Sequence, residues 1–159
     1  MKYVFALISL FFLNACTAQH TKGKVKNKKT MAKSIQEGIC GTVTFQSGNR
    51  MPMVDVPSSG KSVPVVRSIE IYERCNMSQV EAINGFYEHV PTKRVATVES
   101  NKDGKFCISL PAGNYSMLSK EANGLYANSF DGEGNIFPIV VEKGKITTVD
   151  FLISYSAVY

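Results

Sequence analysis

The sequence predicts an all-β fold, namely an antiparallel β-sandwich of about seven short strands. Three observations favour this fold. Apolar side chains recur at every second position in several stretches, turn-forming residues separate those stretches, and only one short segment carries helix signals. The length of 159 residues, with 44% hydrophobic and 19% charged side chains, is typical of a globular chain and excludes a disordered one. We therefore expect one domain over residues 38–159.

The strand signal is the alternation of apolar and polar side chains. In the first strand, Ile39, Val43 and Phe45 share one face. The predicted strands are residues 38–45, 64–73, 93–99, 105–110, 114–120, 136–142 and 145–154. The last two are joined by a Lys-Gly turn at residues 143–144, and we expect them to form a hairpin.

One connection between strands carries helix signals. Ser78 and Glu81 have the spacing of a capping box, and Asn84-Gly85 would end a helix. Residues 78–84 are therefore predicted to form one or two helical turns.

The first fifteen residues have the layout of a secretory signal peptide. Lys2 supplies a positive charge, and residues 3–13 form an apolar stretch that is too short to span a bilayer. The stretch ends in Leu13-Asn14-Ala15-Cys16, which resembles the lipobox of bacterial lipoproteins.

The lipobox resemblance implies that residues 1–15 are removed and that Cys16 carries acyl chains such as palmitate. Two or three chains on one cysteine would hold the protein firmly to a membrane, because each buried CH₂ contributes about 0.8 kcal/mol. Thr17, rather than Asp, follows the cysteine, which in such lipoproteins implies transport to the outer membrane. The alternative is an ordinary secretory signal peptide that is cut near Ala18.

The positive charge of the chain is concentrated after Cys16. Six lysines lie within residues 22–33, whereas residues 38–159 hold 11 basic and 12 acidic side chains, a net charge of −1. The formal charge of +5 is therefore not spread over the domain, and nucleic-acid binding is not favoured. Residues 16–37 are predicted to form an extended basic tether, either a plain spacer or a segment that lies on anionic lipid headgroups.

Three motifs in the domain resemble a known family. They are Gly41-Thr42-Val43, Asp103-Gly104-Lys105-Phe106 and Leu110-Pro111-Ala112-Gly113-Asn114-Tyr115. A G-x-V strand, a D-G-x-F turn and an L-P-x-G-x-Y turn resemble the signature of the carboxypeptidase regulatory-like domain. The resemblance covers residues 38–154 and implies a transthyretin-like (prealbumin-like) β-sandwich. The aromatic ring of Tyr115 is expected in the core, with its hydroxyl near the rim.

Residue types that support catalysis or metal binding are few. His89 is the one histidine of the domain, so a Ser-His-Asp or Cys-His site would have to use it. Two enzyme families on related sandwiches, hydroxyisourate hydrolases and intradiol dioxygenases, need more histidines than that. The cysteines lack the C-x-x-C spacing of zinc sites, and residues 131–135 match only part of a calcium loop. We therefore expect no enzyme activity, no metal and no cofactor.

Two cysteines are candidates for a disulfide. Cys40 and Cys107 lie on strands of the family signature and both point away from the apolar face, whereas Cys75 lies where the second strand ends. The bacterial envelope is oxidising enough for a disulfide to persist. We predict a Cys40–Cys107 bond and a free Cys75. The alternative is three reduced thiols.

A candidate binding loop spans residues 121–135, the longest stretch without strand periodicity near the signature motifs. It contains Tyr126 and Phe130 among Gly and Asn residues, and loops of this length in compact domains are often functional. Exposed aromatic rings on such a loop would bind a partner. The alternative is that both rings fold back and pack against the domain.

The sequence thus predicts a lipid-anchored, non-enzymatic protein of the bacterial envelope that acts as a binding or accessory module for a protein or glycan partner. Two other functions stay open. An envelope hydrolase or carbohydrate-active enzyme would need two carboxylates in one cleft, drawn from Glu70, Glu73, Glu88 and Glu99. A structural subunit of an envelope assembly would show an exposed apolar patch or a long unpaired edge strand.

The lipid anchor is tested by the variant Cys16→Ser. We expect this variant to lose metabolic labelling with palmitate and to move from the membrane fraction to the soluble fraction, because the acyl chains supply the membrane affinity. Detergent partitioning that is the same for the variant and the wild type would contradict the prediction.

Overall fold

Residues 35–51 and 60–159 are described by the computed structural model. They fold into a four-stranded and a seven-stranded β-sheet, with one hydrophobic cluster that draws on the strands of both. The all-β sandwich predicted from the alternation pattern is therefore confirmed. The predicted signal peptide, the lipid-attachment site Cys16 and most of the tether lie outside the described residues.

Eleven strands and one short 3-10 helix make up the described fold. The strands are β1 (Gly38–Asn49), β2 (Lys61–Pro64), β3 (Ser68–Glu73), β4 (Ala82–Ile83), β5 (Phe86–Tyr87), β6 (Arg94–Glu99), β7 (Lys105–Ser109), β8 (Gly113–Glu121), β9 (Gly124–Tyr126), β10 (Pro138–Val141) and β11 (Ile146–Val158). Each of the seven predicted strands has a counterpart, although the second is regular only over β3, and β2 shares only Pro64 with the predicted range. The short strands β4, β5 and β9 are additional.

Strand β1 is the centre of the four-stranded sheet. It pairs in parallel with β11 on one side. On its other side it pairs antiparallel with β7 over its first half and with β2 over its second half. The seven-stranded sheet has the order β4-β5-β9-β8-β3-β6, and β10 pairs with β8.

The alternation of side chains gives the seven-stranded sheet two buried faces. Ile71, Met117 and Tyr126 face the four-stranded sheet and belong to the main core. Their neighbours in sequence belong to a second hydrophobic cluster, which is Tyr72, Cys75, Tyr87, Val90, Leu118, Leu125, Ala127 and Ile136. This second cluster includes residues of the connections between strands, so the outer face of the sheet is covered as well.

The predicted second strand is interrupted because the chain changes sheet. Residues 65–67 lead from β2 in one sheet to β3 in the other. The Ser100 hydroxyl holds this crossing, since it donates to the Val65 carbonyl at 2.8 Å and accepts from the Arg67 amide at 2.8 Å.

The helix predicted over residues 78–84 is wrong. The chain forms a 3-10 helix at Met77–Gln79 instead, and its capping box uses Asn76 and Gln79 rather than Ser78 and Glu81. Asn84 and Gly85 both have positive φ values, 52° and 81°, which is the geometry of a tight hairpin turn. They join β4 to β5 and do not end a helix.

The hairpin predicted at residues 136–154 is also wrong. The turn at residues 143–144 is present, and the Lys145 amide donates to the Glu142 carbonyl at 3.1 Å. The two strands then separate, because β10 pairs with β8 in one sheet and β11 pairs with β1 in the other. This turn therefore connects the two layers of the sandwich.

The turn motif before β8 is held by its tyrosine. The Tyr115 ring is buried in the main core, and its hydroxyl donates to the Pro111 carbonyl at 2.8 Å, as expected for a ring in the core with its hydroxyl at the rim. Glu37 fastens the same end of the domain, because its carboxylate accepts from the amides of Ala112 at 3.0 Å and Gly144 at 2.6 Å.

The predicted disulfide is present between Cys40 and Cys107, and Cys75 is a free, buried thiol. The two bonded residues face each other directly across β1 and β7, with their Cα atoms 4.1 Å apart. Burial raises the pKa of the Cys75 thiol, which keeps this cysteine in its unreactive, protonated form.

Removing the disulfide should destabilise the domain without unfolding it. The bond closes a loop over a sequence separation of 67 residues, for which chain entropy predicts a stabilisation of about 4 kcal/mol. We expect the double variant Cys40→Ala, Cys107→Ala to lose about that much free energy of unfolding in urea denaturation. The double variant and its reference protein both carry Cys75→Ala in this measurement, so that the free Cys75 thiol cannot exchange with the disulfide. A loss below about 1 kcal/mol would show that the unfolded chain does not gain the expected freedom.

Candidate functional site

The predicted binding loop is partly a strand, and its two aromatic residues differ in their exposure to solvent. Tyr126 lies on β9 and is only 6% exposed, whereas Phe130 is 56% exposed. The Tyr126 ring packs against Phe86 and Tyr155 at centroid distances of 5.7 and 5.3 Å. Its hydroxyl lies 3.2 Å from the Ser154 hydroxyl. The proposed contact role of Tyr126 is therefore wrong, because its ring belongs to the core.

Phe130 lines a shallow hollow of about 290 Å³ together with Ser129, Asp131, Phe137 and Pro138. Phe137 has a φ of 34°, which a bulky residue adopts only under constraint. The constraint is its packing, since the Phe137 ring lies 4.8 Å from the ring of Phe151. The backbone at this hollow is therefore fixed by the core.

In the acidic loop at residues 131–135, amide groups of the loop itself donate hydrogen bonds to the Asp131 carboxylate. The Asp131 carboxylate accepts from the backbone amides of Glu133 and Asn135 at 3.0 and 2.8 Å. It also accepts from the Asn135 side chain at 2.8 Å. These bonds lower the pKa of Asp131. Amide donors thus occupy the oxygens that a calcium ion would need.

A buried carboxylate lies on the outer face of the seven-stranded sheet. Glu70 is 5% exposed, and both of its oxygens are engaged. Arg94 Nη1 lies 3.1 Å from one oxygen, and the Tyr72 hydroxyl donates to the other at 2.5 Å. Burial and this bond raise the pKa of Tyr72 to about 12, so Tyr72 stays a hydrogen-bond donor at physiological pH.

Glu70 and Glu88 line the same hollow, of about 350 Å³, together with Tyr72, Lys120 and Leu125. A pair of carboxylates in one hollow is the arrangement that a glycoside hydrolase requires. Glu70, however, already holds Arg94 and Tyr72, so neither of its oxygens is free to transfer a proton to a substrate. The geometry favours a structural role for this ion pair.

Exposed apolar side chains gather around the last third of β1. Eleven large apolar side chains are exposed among the described residues, and six of them surround this end. We call this surface the apolar end; its members are Met51, Val63, Val66, Tyr155, Val158 and Tyr159. Sequence reasoning missed it because its members come from β2, the crossing after β2, the end of β11 and the residues that follow β1 and β11.

Contacts with β1 hold the apolar end together. Val63 lies opposite Phe45 in the sheet, and the Tyr155 ring meets the Phe45 ring edge-on at 5.5 Å. The Tyr159 hydroxyl donates to Gln46 Oε1 at 2.7 Å. Val63, Tyr155 and Tyr159 are therefore gathered around the same two residues of β1, Phe45 and Gln46.

A buried acceptor without a partner lies beside this surface. The side chain of Glu121 is 3% exposed, and one of its oxygens accepts from Arg67 Nε at 3.2 Å and from the Tyr155 hydroxyl at 3.1 Å. Its other oxygen, Oε1, has no hydrogen-bond partner. The Arg67 guanidinium also lies 5.9 Å from the centre of the Phe45 ring.

Comparisons with protein-family models, with curated proteins and with solved structures found no match to this chain. The resemblance to the carboxypeptidase regulatory-like domain therefore stays a prediction that rests on the three sequence motifs. Among residues 35–51 and 60–159, no helix is long and apolar enough to cross a membrane. The same residues hold no group of three or more His, Cys, Asp or Glu side chains that could bind a metal ion.

The different positions of the two loop aromatics predict different effects of their removal. Tyr126→Ala should lower the free energy of unfolding by about 3–5 kcal/mol, because it leaves a cavity in the core. Phe130→Ala should change it by no more than about 0.5 kcal/mol, because the ring is exposed. Chemical denaturation of both variants checks this, and equal effects would contradict the assignment of Tyr126 to the core.

Proposed function

We propose that this chain is a lipid-anchored, non-enzymatic module of the bacterial envelope, in the outer membrane, that binds a protein partner through the apolar end. The observation that carries the proposal is the concentration of six exposed apolar side chains at one end of the sandwich. Monomeric domains rarely expose large contiguous apolar patches, and such patches usually mark interaction sites.

The composition of the apolar end supports a protein partner. Tyr155 and Tyr159 supply aromatic area, Met51 supplies an adaptable side chain, and the half-buried Arg67 lies beside them. Tyr, Met and Arg are enriched at protein interfaces.

The N-terminal sequence supports a location in the envelope. Cys16 in its lipobox supplies the anchor, and residues 17–34 supply a tether that reaches at most about 60 Å when fully extended. Such a tether would let the domain meet a partner near the membrane without fixing its orientation. The lysines of the tether add affinity for anionic headgroups.

The binding role is tested with the double variant Val158→Ser, Tyr159→Ser. Both side chains are more than half exposed, so we expect the melting temperature to stay within about 2 °C of wild type. We expect the variant to lose the protein that crosslinks to the wild type in intact cells, because the removed side chains form the contact.

A matched control keeps the test specific. The variant Phe130→Ser, Val140→Ser also replaces two exposed apolar side chains, but it lies outside the apolar end and should retain the crosslinked protein. Loss of capture by the control, or retention by the first variant, would contradict the proposal. Capture of a glycan would show that the partner is a glycan and not a protein. Turnover of an envelope polysaccharide would favour the hydrolase alternative.

A further inference from the structure

Within residues 35–51 and 60–159, the strand β11 has a free edge that differs from the other sheet edges. It is thirteen residues long and lies at the margin of the four-stranded sheet. Its sequence contains no proline and no basic residue, and Asp150 is its one charge. Long edges of this kind are templates for pairing with another chain.

The other outer strands among the described residues carry the usual protection against such pairing. They are short, and most hold a charge or a proline. They are β2 with Lys61 and Pro64, β4 with two residues, β6 with Arg94 and Glu99, β7 with Lys105, and β10 with Pro138. The unprotected edge of β11 is therefore a specific feature of this fold.

The register of β11 shows which backbone groups are on the free edge. Gly38 lies opposite Ile146, and its amide donates to the Lys145 carbonyl at 3.1 Å. In a parallel ladder every second residue directs its peptide groups to the neighbouring strand. Odd-numbered residues from Lys145 to Ile153 therefore bond to β1. The peptide groups of Thr148, Asp150 and Leu152 face away from it.

Two contacts limit the regular part of this edge. At one end, the Thr147 hydroxyl donates to the Val140 carbonyl of β10 at 2.7 Å. At the other end, the Ser154 amide donates to the Tyr126 hydroxyl at 3.3 Å, next to an irregularity in the β1–β11 register. Residues 148–153 therefore form the segment that is available for pairing.

We propose that a second copy of this chain pairs with residues 148–153, antiparallel and related by a two-fold axis through Phe151. In this register Asp150 lies opposite Leu152 of the other copy, so the two acids do not face each other. Val149 lies opposite Ile153, which continues the apolar row of the core across the two-fold axis. Strand addition of this kind joins the two four-stranded sheets into one sheet of eight strands.

The self-complementary chemistry of the edge favours a second copy over an unrelated partner. With the two-fold axis through Phe151, the inward-facing residues of one copy meet those of the other, and the single acid of each strand meets an apolar residue. Anchoring of both copies to one membrane, as proposed above, would raise their effective concentration. The pairing itself does not depend on the anchor or on the apolar end.

The test uses the full-length chain in detergent micelles, with its mass measured by light scattering over a range of concentrations. We expect the wild type to form a dimer and the variant Asp150→Lys, Leu152→Lys to stay a monomer, because positions 150 and 152 lie opposite each other in this register and four lysines would meet across the edge. The control Thr42→Lys, Thr44→Lys adds two lysines to β1, which has neighbours on both sides, and should still dimerise.

Amide hydrogen exchange gives the second measurement. In the wild type at high concentration, the amides of Thr148, Asp150 and Leu152 should be protected. In the lysine variant the amides at these positions should exchange at least tenfold faster, whereas those of Val149, Phe151 and Ile153 stay protected and show that the domain is folded. A wild type that is monomeric at every concentration, or a lysine variant that still dimerises, would overturn the proposal.

Discussion

The central position of β1 is the constraint on which the rest of the structure depends. Ile39 and Val43 of this strand are fully buried, and three other strands bond to its two sides. Gly41 lies between them, and a Cβ atom there would be 2.2 Å from the Val149 carbonyl. The glycine of the G-x-V motif is therefore required by the close approach of β11.

Several features that hold the sandwich together act at the ends of its strands. Glu37 bonds to the turn before β8 and to the turn before β11, and the disulfide joins β1 to β7. The Ser100 hydroxyl fixes the crossing between β2 and β3. The Glu37 contacts lie at the start of β1, whereas the Ser100 contact fixes the crossing that carries Val66 of the apolar end.

The carboxylates of the buried Glu70 and of the partly exposed Asp131 have structural partners. Glu70 is bound by Arg94 and Tyr72, and the backbone and the Asn135 side chain surround Asp131. Removing one partner of a buried pair strongly destabilises the fold, because a charge is then left buried without its partner.

The sequence alone predicted the longer strands and the faces of those strands, because both follow from the local two-residue period. The pairing of Cys40 with Cys107 was predicted from that period together with the resemblance to the carboxypeptidase regulatory-like domain. The sequence did not determine which strands meet. The turn at residues 143–144 looks like that of a hairpin, yet tertiary packing sends β10 and β11 to different sheets. The same long-range pairing decided that Tyr126 is buried, that residues distant in sequence form the apolar end, and that β11 is an edge. These properties depend on contacts between distant segments, and no local pattern encodes them.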